Sequence, residues 1–109
     1  MLKSKRHLYV GFMCNQVVEK ILKAYYVKNK KEQPPYTHKL RRLAEESNLY
    51  KTMTEEQKDF LDIVSPLNIE ARYPERKKEL FEALSDETCK NILNKTEEFV
   101  LWIKKKLEN

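Results

Sequence analysis

An all-α fold, an up-and-down bundle of about four to five helices, is what this sequence predicts, on three observations. Only one glycine and four prolines occur among 109 residues, too few turn formers for a sandwich or barrel, while 36% of the chain is charged. Apolar residues recur at alternating spacings of three and four rather than two. Helix-start signals stand at the expected places, with Thr54 and Gln57 at capping-box spacing and Ser85 ahead of two acids. The 40% apolar share supports one core, so residues 1–109 are expected to form one domain.

The first helix is expected from about His7 to Lys30, where Val10, Met13, Cys14, Val17, Val18, Ile21, Leu22, Ala24 and Tyr25 cover about half the wheel. Asn15, Gln16, Glu19, Lys20 and Lys23 form a polar wedge opposite, with Leu8, Phe12 and Tyr26 intruding on it. A helix so apolar must be covered from several sides, which makes it the central one. Pro34 and Pro35 end any helix before them. Thr37 is the expected N-cap of a short second helix carrying Leu40, Leu43 and Ala44, with Asn48 at its C-terminus.

The third helix follows Thr54 and buries Phe60, Leu61, Val64 and Leu67, with a kink or stop near Pro66. Pro74 suits the first position of a further helical turn, in which Leu80, Phe81 and Leu84 can pack. The last helix begins after Ser85, with a stripe of Cys89, Ile92, Leu93, Thr96, Phe99, Val100, Ile103 and Leu107. Lys104, Lys105 and Lys106 complement its dipole, and Trp102 lies off the stripe, facing a groove or a partner.

Charge is uneven. Residues 1–50 carry 11 Lys/Arg against 4 Asp/Glu, or +7, and residues 51–109 carry 11 against 13, or −2. A basic half is a footprint for phosphate or simply a solvated lysine-rich face. Cys14 and Cys89 have no metal-ligand spacing and read as reduced, buried thiols of a cytoplasmic protein. Gln16, Glu19 and Lys20 break the apolar run that a signal peptide needs, and no window is apolar enough to span a membrane. No metal or cofactor is implied.

Four groups are candidates for binding or chemistry: Gln16, Glu19, Lys20 and Lys23 on the first helix; His38; Arg72 and Tyr73; and the cluster Lys28, Lys30, Lys31, Arg41 and Arg42. Lys20, Lys23, His38, Arg72 and Tyr73 are the ligand-binding candidates. Arg72 equally suits a structural ion pair with Glu19, in which a guanidinium forks onto a carboxylate.

The stretches NQVVEKILKAYYV, PPYTHKLRRL, EARYP and TEEFVLWIKKKL stand in an order and at spacings that resemble the HEPN family, nucleotide-binding domains shared by higher eukaryotes and prokaryotes. The resemblance covers essentially the whole chain. It implies a helical bundle, often a homodimer, frequently encoded beside a minimal nucleotidyltransferase in toxin–antitoxin or defence systems and binding nucleotide or RNA. Family members usually carry a complete amphipathic helix ahead of the central one; the six residues before His7 are too few for it, so the N-terminus reads as shortened. A second copy covering Leu8, Phe12 and their surroundings is the expected substitute.

Many HEPN proteins are metal-independent ribonucleases, marked by an arginine followed after four to six residues by a histidine. After Arg72 come Tyr73, Pro74, Glu75, Arg76, Lys77, Lys78 and Glu79, with no histidine in the window. Arg72 can offer charge to a phosphorane, but a lysine, with a pKa of ~10.4, is a poor general base at neutral pH. The expectation is therefore a binding module without a catalytic centre. The alternative is a metal-independent ribonuclease toxin using Arg72 and an atypical base.

Overall fold

Helix α1 spans Leu2–Lys30 and is the element on which the others assemble. The computed structural model describes residues 2–37, 39–67 and 85–108, and side chains at residue 7 and from residue 9 onward within them. Among these residues the regular structure is entirely helical: α1, α2 (Leu40–Glu46), α3 (Glu55–Val64) and α4 (Asp86–Glu108), with 3-10 turns at Tyr50–Thr52 and Ser65–Leu67. The expected all-α bundle is what forms. The turn expected after Pro74 lies outside the described residues.

α1 begins five residues before the expected His7. Leu2 to Arg6 include no glycine or proline, so nothing in the chain stops the helix from extending backward. At its other end Lys31 takes a left-handed conformation, φ 57°, and its N–H closes on the Val27 carbonyl at 2.8 Å.

The start of α2 differs from expectation. Lys39, not Thr37, holds the N-cap position, and no side chain caps the helix. The Thr37 hydroxyl instead accepts the Lys39 N–H at 3.1 Å, a local turn that competes with helix and delays its start. The other end is as expected: Asn48 adopts φ 68°, its N–H bonds the Glu45 carbonyl at 3.1 Å, and that of Leu49 bonds Ala44 at 2.9 Å. This pair of bonds is a Schellman closure, which asparagine tolerates better than most residues.

α3 opens on the expected capping box. The Thr54 hydroxyl accepts the Gln57 N–H at 3.1 Å, and the Gln57 side chain accepts the Thr54 N–H at 2.9 Å. Such caps contribute about 1 kcal/mol. Pro66 lacks an N–H, and there the α-helix gives way to the 3-10 turn. α4 opens on Ser85, whose hydroxyl accepts the Thr88 N–H at 3.1 Å.

The core joins Cys14, Val18 and Leu22 of α1 to Leu40, Leu43 and Ala44 of α2, Phe60, Leu61 and Val64 of α3, and Cys89, Ile92, Phe99 and Ile103 of α4. Leu49, Met53 and Leu67 fill it from the connections. His7 meets Asp86 and Cys14 meets Thr96, so α1 and α4 run parallel. Gly11 lies against Leu67 and Asn15 against Val64, so α1 and α3 run antiparallel. Gly11 allows the close approach: a Cβ there would stand 3.1 Å from Leu67 Cδ1.

The rotation of α1 is the main departure from the sequence reading. Asn15 and Glu19, assigned to the polar wedge, are buried at 1% and 7% exposure, whereas Met13 and Val17 are 44% and 39% exposed. Trp102, placed off the stripe, is half-buried, packed on Phe99 at 5.9 Å between ring centres, with the Lys106 ammonium 4.9 Å above it. Ridge packing against Phe99 offers the indole more apolar contact than an open groove.

Candidate functional site

Three features of the described surface bear on function, and α1 contributes to all of them. The first is a polar row at four-residue spacing, Asn15, Glu19 and Lys23, which one face of a helix brings into line. Asn15 Nδ2 donates to the Val64 carbonyl at 2.9 Å and the Ser65 carbonyl at 3.1 Å. These carbonyls lie where α3 ends, and a side chain from α1 helps to cap them. Asn15 Oδ1 is buried without a partner.

One turn on, the buried Glu19 carboxylate receives Lys23 Nζ at 3.3 Å. Lys23 is half-buried and Lys20, off this row, is exposed. Lys23 is therefore bound to a carboxylate on its own helix, and Lys20 is the residue of the pair open to a phosphate. Burial of Glu19 is the environment in which a forked guanidinium partner would be most valuable. Arg72, Tyr73 and His38 lie outside the described residues, as does any pairing of Glu19 with Arg72.

The second feature is a largely apolar groove of about 440 Å³ between α1 and α4, lined by Met13, Val17, Leu93, Val100 and Leu101 and by the charged Glu97, with Cys14 and Thr96 at its floor. Its walls are exposed: Leu93 at 43% and Leu101 at 60%, beside Met13 and Val17. Phe12, expected to need cover, is half-buried within the described packing. Exposed apolar surface among the described residues thus includes Met13 and Val17 beyond Phe12, while the Leu8 side chain lies outside the described residues. Burial pushes the Cys14 thiol above its ordinary pKa against a hydrogen bond to Thr96 that lowers it. Cys89 is raised too, by burial first and then by the negative charge of Asp86 and Cys14. Both thiols stay protonated near neutrality and are weak nucleophiles there.

The third feature is basic. Arg41 and Arg42 pair with Glu45 and Glu46 at 3.5 and 2.8 Å, and Arg41 also lies over the Tyr50 ring at 5.1 Å. Lys58 takes the ring as well, at 4.8 Å. Lys28, Lys30 and Lys31 are exposed, and among the described residues none has a carboxylate within salt-bridge distance. The sequence cluster thus divides into engaged arginines and uncommitted lysines. At the opposite end of α1, His7 Nε2 lies 2.5 Å from Asp86 Oδ1, and Cys89 Sγ donates to the His7 carbonyl at 3.8 Å.

A model of the HEPN domain matches residues 1–107. The chain belongs to the HEPN domain family. No curated protein and no solved structure matches it significantly. Membership makes this HEPN chain part of a nucleotide- and RNA-related family. Among the described residues no helix is long and apolar enough to cross a membrane.

Two features of this HEPN chain escaped the sequence reading. Asn15 carried a signal, since it stands four residues after the lone glycine in the row that approaches α3 most closely. The groove carried a weaker one: α1 and α4 each bear more apolar residues than one core-facing stripe can bury.

Proposed function

We propose that this protein is a homodimeric HEPN module that binds RNA or nucleotide phosphate and does not cleave it. The carrying observation is the family match through residue 107 in a chain whose Arg72 has no histidine in the following window. Phosphate binding draws support from the exposed, uncommitted lysines Lys20, Lys28, Lys30 and Lys31. A metal-free nuclease needs a proton-transfer group of near-neutral pKa beside its cation. His7, the described histidine, is committed to Asp86 at the start of α4.

Dimerisation draws support from the groove. Four exposed apolar walls over a nearly nonpolar floor form the kind of contiguous patch that soluble proteins rarely leave open. Two parallel helices of one copy can receive the same pair of a second copy across a two-fold axis, so that each patch covers the other.

The experiment is titration of a short RNA with purified protein in EDTA at about 50 and 200 mM salt, with a parallel incubation scored for cleavage. Binding that weakens steeply with salt, and RNA that stays intact, is the expected result. Salt-independent or absent binding refutes the module. Cleavage in EDTA that disappears in Arg72→Ala refutes the non-catalytic reading and installs the ribonuclease alternative.

A further inference from the structure

The loop from α1 to α2 presents a different arrangement from the lysines along α1. Tyr36 is 96% exposed, more than any other large apolar or aromatic residue described. Pro34 and Pro35 before it are half-buried, and the Thr37–Lys39 turn follows it, so the ring stands on a mount with restricted backbone freedom. Around it in the chain, residues 28–42 carry six Lys/Arg (Lys28, Lys30, Lys31, Lys39, Arg41, Arg42) against Glu32, a net +5 that equals the charge of the whole protein. The remainder of the molecule nets to zero. All seven of these charged residues are exposed.

An exposed aromatic ring on a restricted backbone, bracketed along the chain by cations, matches the chemistry of a single-stranded nucleic acid. Every base has a π-face to lay on a ring, and the adjoining phosphates call for lysine. A duplex hides its base faces in its own stack and offers only the phosphates. An acidic protein partner satisfies the lysines but leaves the ring without a flat counterpart. We propose that Tyr36 is a stacking platform for one unpaired base of a single-stranded RNA whose backbone is held by Lys28, Lys30, Lys31 and Lys39. This rests on the RNA-binding reading above and places the contact on this loop.

The platform has two costs to overcome, ordering of the lysine side chains and of the strand, so its affinity depends on salt and on stacking together. Stacking of one base on one ring corresponds to roughly a 5- to 150-fold change in affinity when the ring is removed. Each lysine contact contributes about 0.7 to the slope of log K against log salt for a single strand.

The test is fluorescence anisotropy of a labelled, unstructured 12-nucleotide RNA against the intact protein and three variants: Tyr36→Ala, Tyr36→Phe, and Lys30→Gln with Lys31→Gln. Far-UV circular dichroism checks that these exposed substitutions leave the helices intact. The expected result is a loss of at least about five-fold in Tyr36→Ala, near-full affinity in Tyr36→Phe, and a salt slope shallower by about 1.4 in the double lysine variant. A matched duplex RNA is expected to bind more weakly and to be indifferent to Tyr36→Ala. Salt-dependent binding unchanged in Tyr36→Ala overturns the platform while leaving the RNA-binding module standing. Loss in both tyrosine variants alike also overturns it, because the hydroxyl and not the ring face is then responsible. Absence of any RNA binding by the intact protein overturns both readings.

Discussion

Replacing Asn15 by aspartate, which keeps the shape and removes both donors, should cost this protein more stability than replacing it by leucine. The amide donates to two backbone carbonyls at the end of α3, at 2.9 and 3.1 Å, from a side chain only 1% exposed. Both carbonyls also serve the 3-10 turn that follows α3, so each lost amide bond costs about 0.5–1.5 kcal/mol and the two together roughly 1–3. In Asn15→Leu part of this is returned, because Oδ1, buried without a partner, disappears with the amide and relieves about 1–2 kcal/mol. The net loss for leucine is then about 1 kcal/mol or less. In Asn15→Asp nothing is returned: a second acceptor faces the same two carbonyls, and its burial raises the introduced carboxyl's pKa. The net loss is about 3 kcal/mol or more at pH 7, against a total of about 5–15 for a domain of this size. Urea unfolding followed by circular dichroism measures both, through the midpoint at constant slope. With its native pKa raised, the aspartate variant regains stability as pH falls and the carboxyl takes up a proton. Equal losses in the two variants, or an aspartate variant as stable as the parent at pH 7, would refute the assignment of Asn15 as the cap of α3.

The two cysteines give the remaining predictions. Both thiols are buried and have raised pKa values, so a thiol reagent at pH 7 should react slowly with the native protein and rapidly in denaturant; fast native reaction would contradict their burial. Because the folded values lie above the unfolded ones, the unfolded chain releases these protons first. Stability should be fully present below about pH 8.5 and decline as pH rises from there through the folded values, a decline that Cys14→Ser and Cys89→Ser should each diminish.

Much of the architecture was legible because helix caps are local. The Thr54–Gln57 box, the Ser85 cap and the left-handed Asn48 involve neighbours a few residues apart, and each forms as its residues suggest. The α4 stripe was legible in part: Cys89, Ile92, Thr96, Phe99 and Ile103 are buried together, but Leu93, placed on the same stripe, is 43% exposed. α1 was not, because apolar residues nearly encircle it. Which side faces inward was decided by distant groups: the α3 carbonyls that need Asn15, and Leu67 that needs Gly11. Within α1 the Gly11–Asn15 spacing is the one hint of it. No local pattern carries the His7–Asp86 pair, 79 residues apart in the chain. Of the candidate binding residues, Lys20 and Lys23 resolved into different roles only once Glu19 proved to be buried beside Lys23.

What covers the α1–α4 groove is tested most directly by molar mass from light scattering at micromolar concentration, for the parent and for Leu101→Glu. Leu101 is 60% exposed in one copy. Covering it contributes about 1–2 kcal/mol per copy, so its loss on both sides of a two-fold interface weakens the dimer roughly 30- to 700-fold, and a charge there weakens it further. The result predicted is twice the 13.2 kDa of one chain for the parent and a single chain's mass for the folded variant. A parent of 13.2 kDa, or a variant that remains a dimer, would contradict the claim that a second copy occupies the groove.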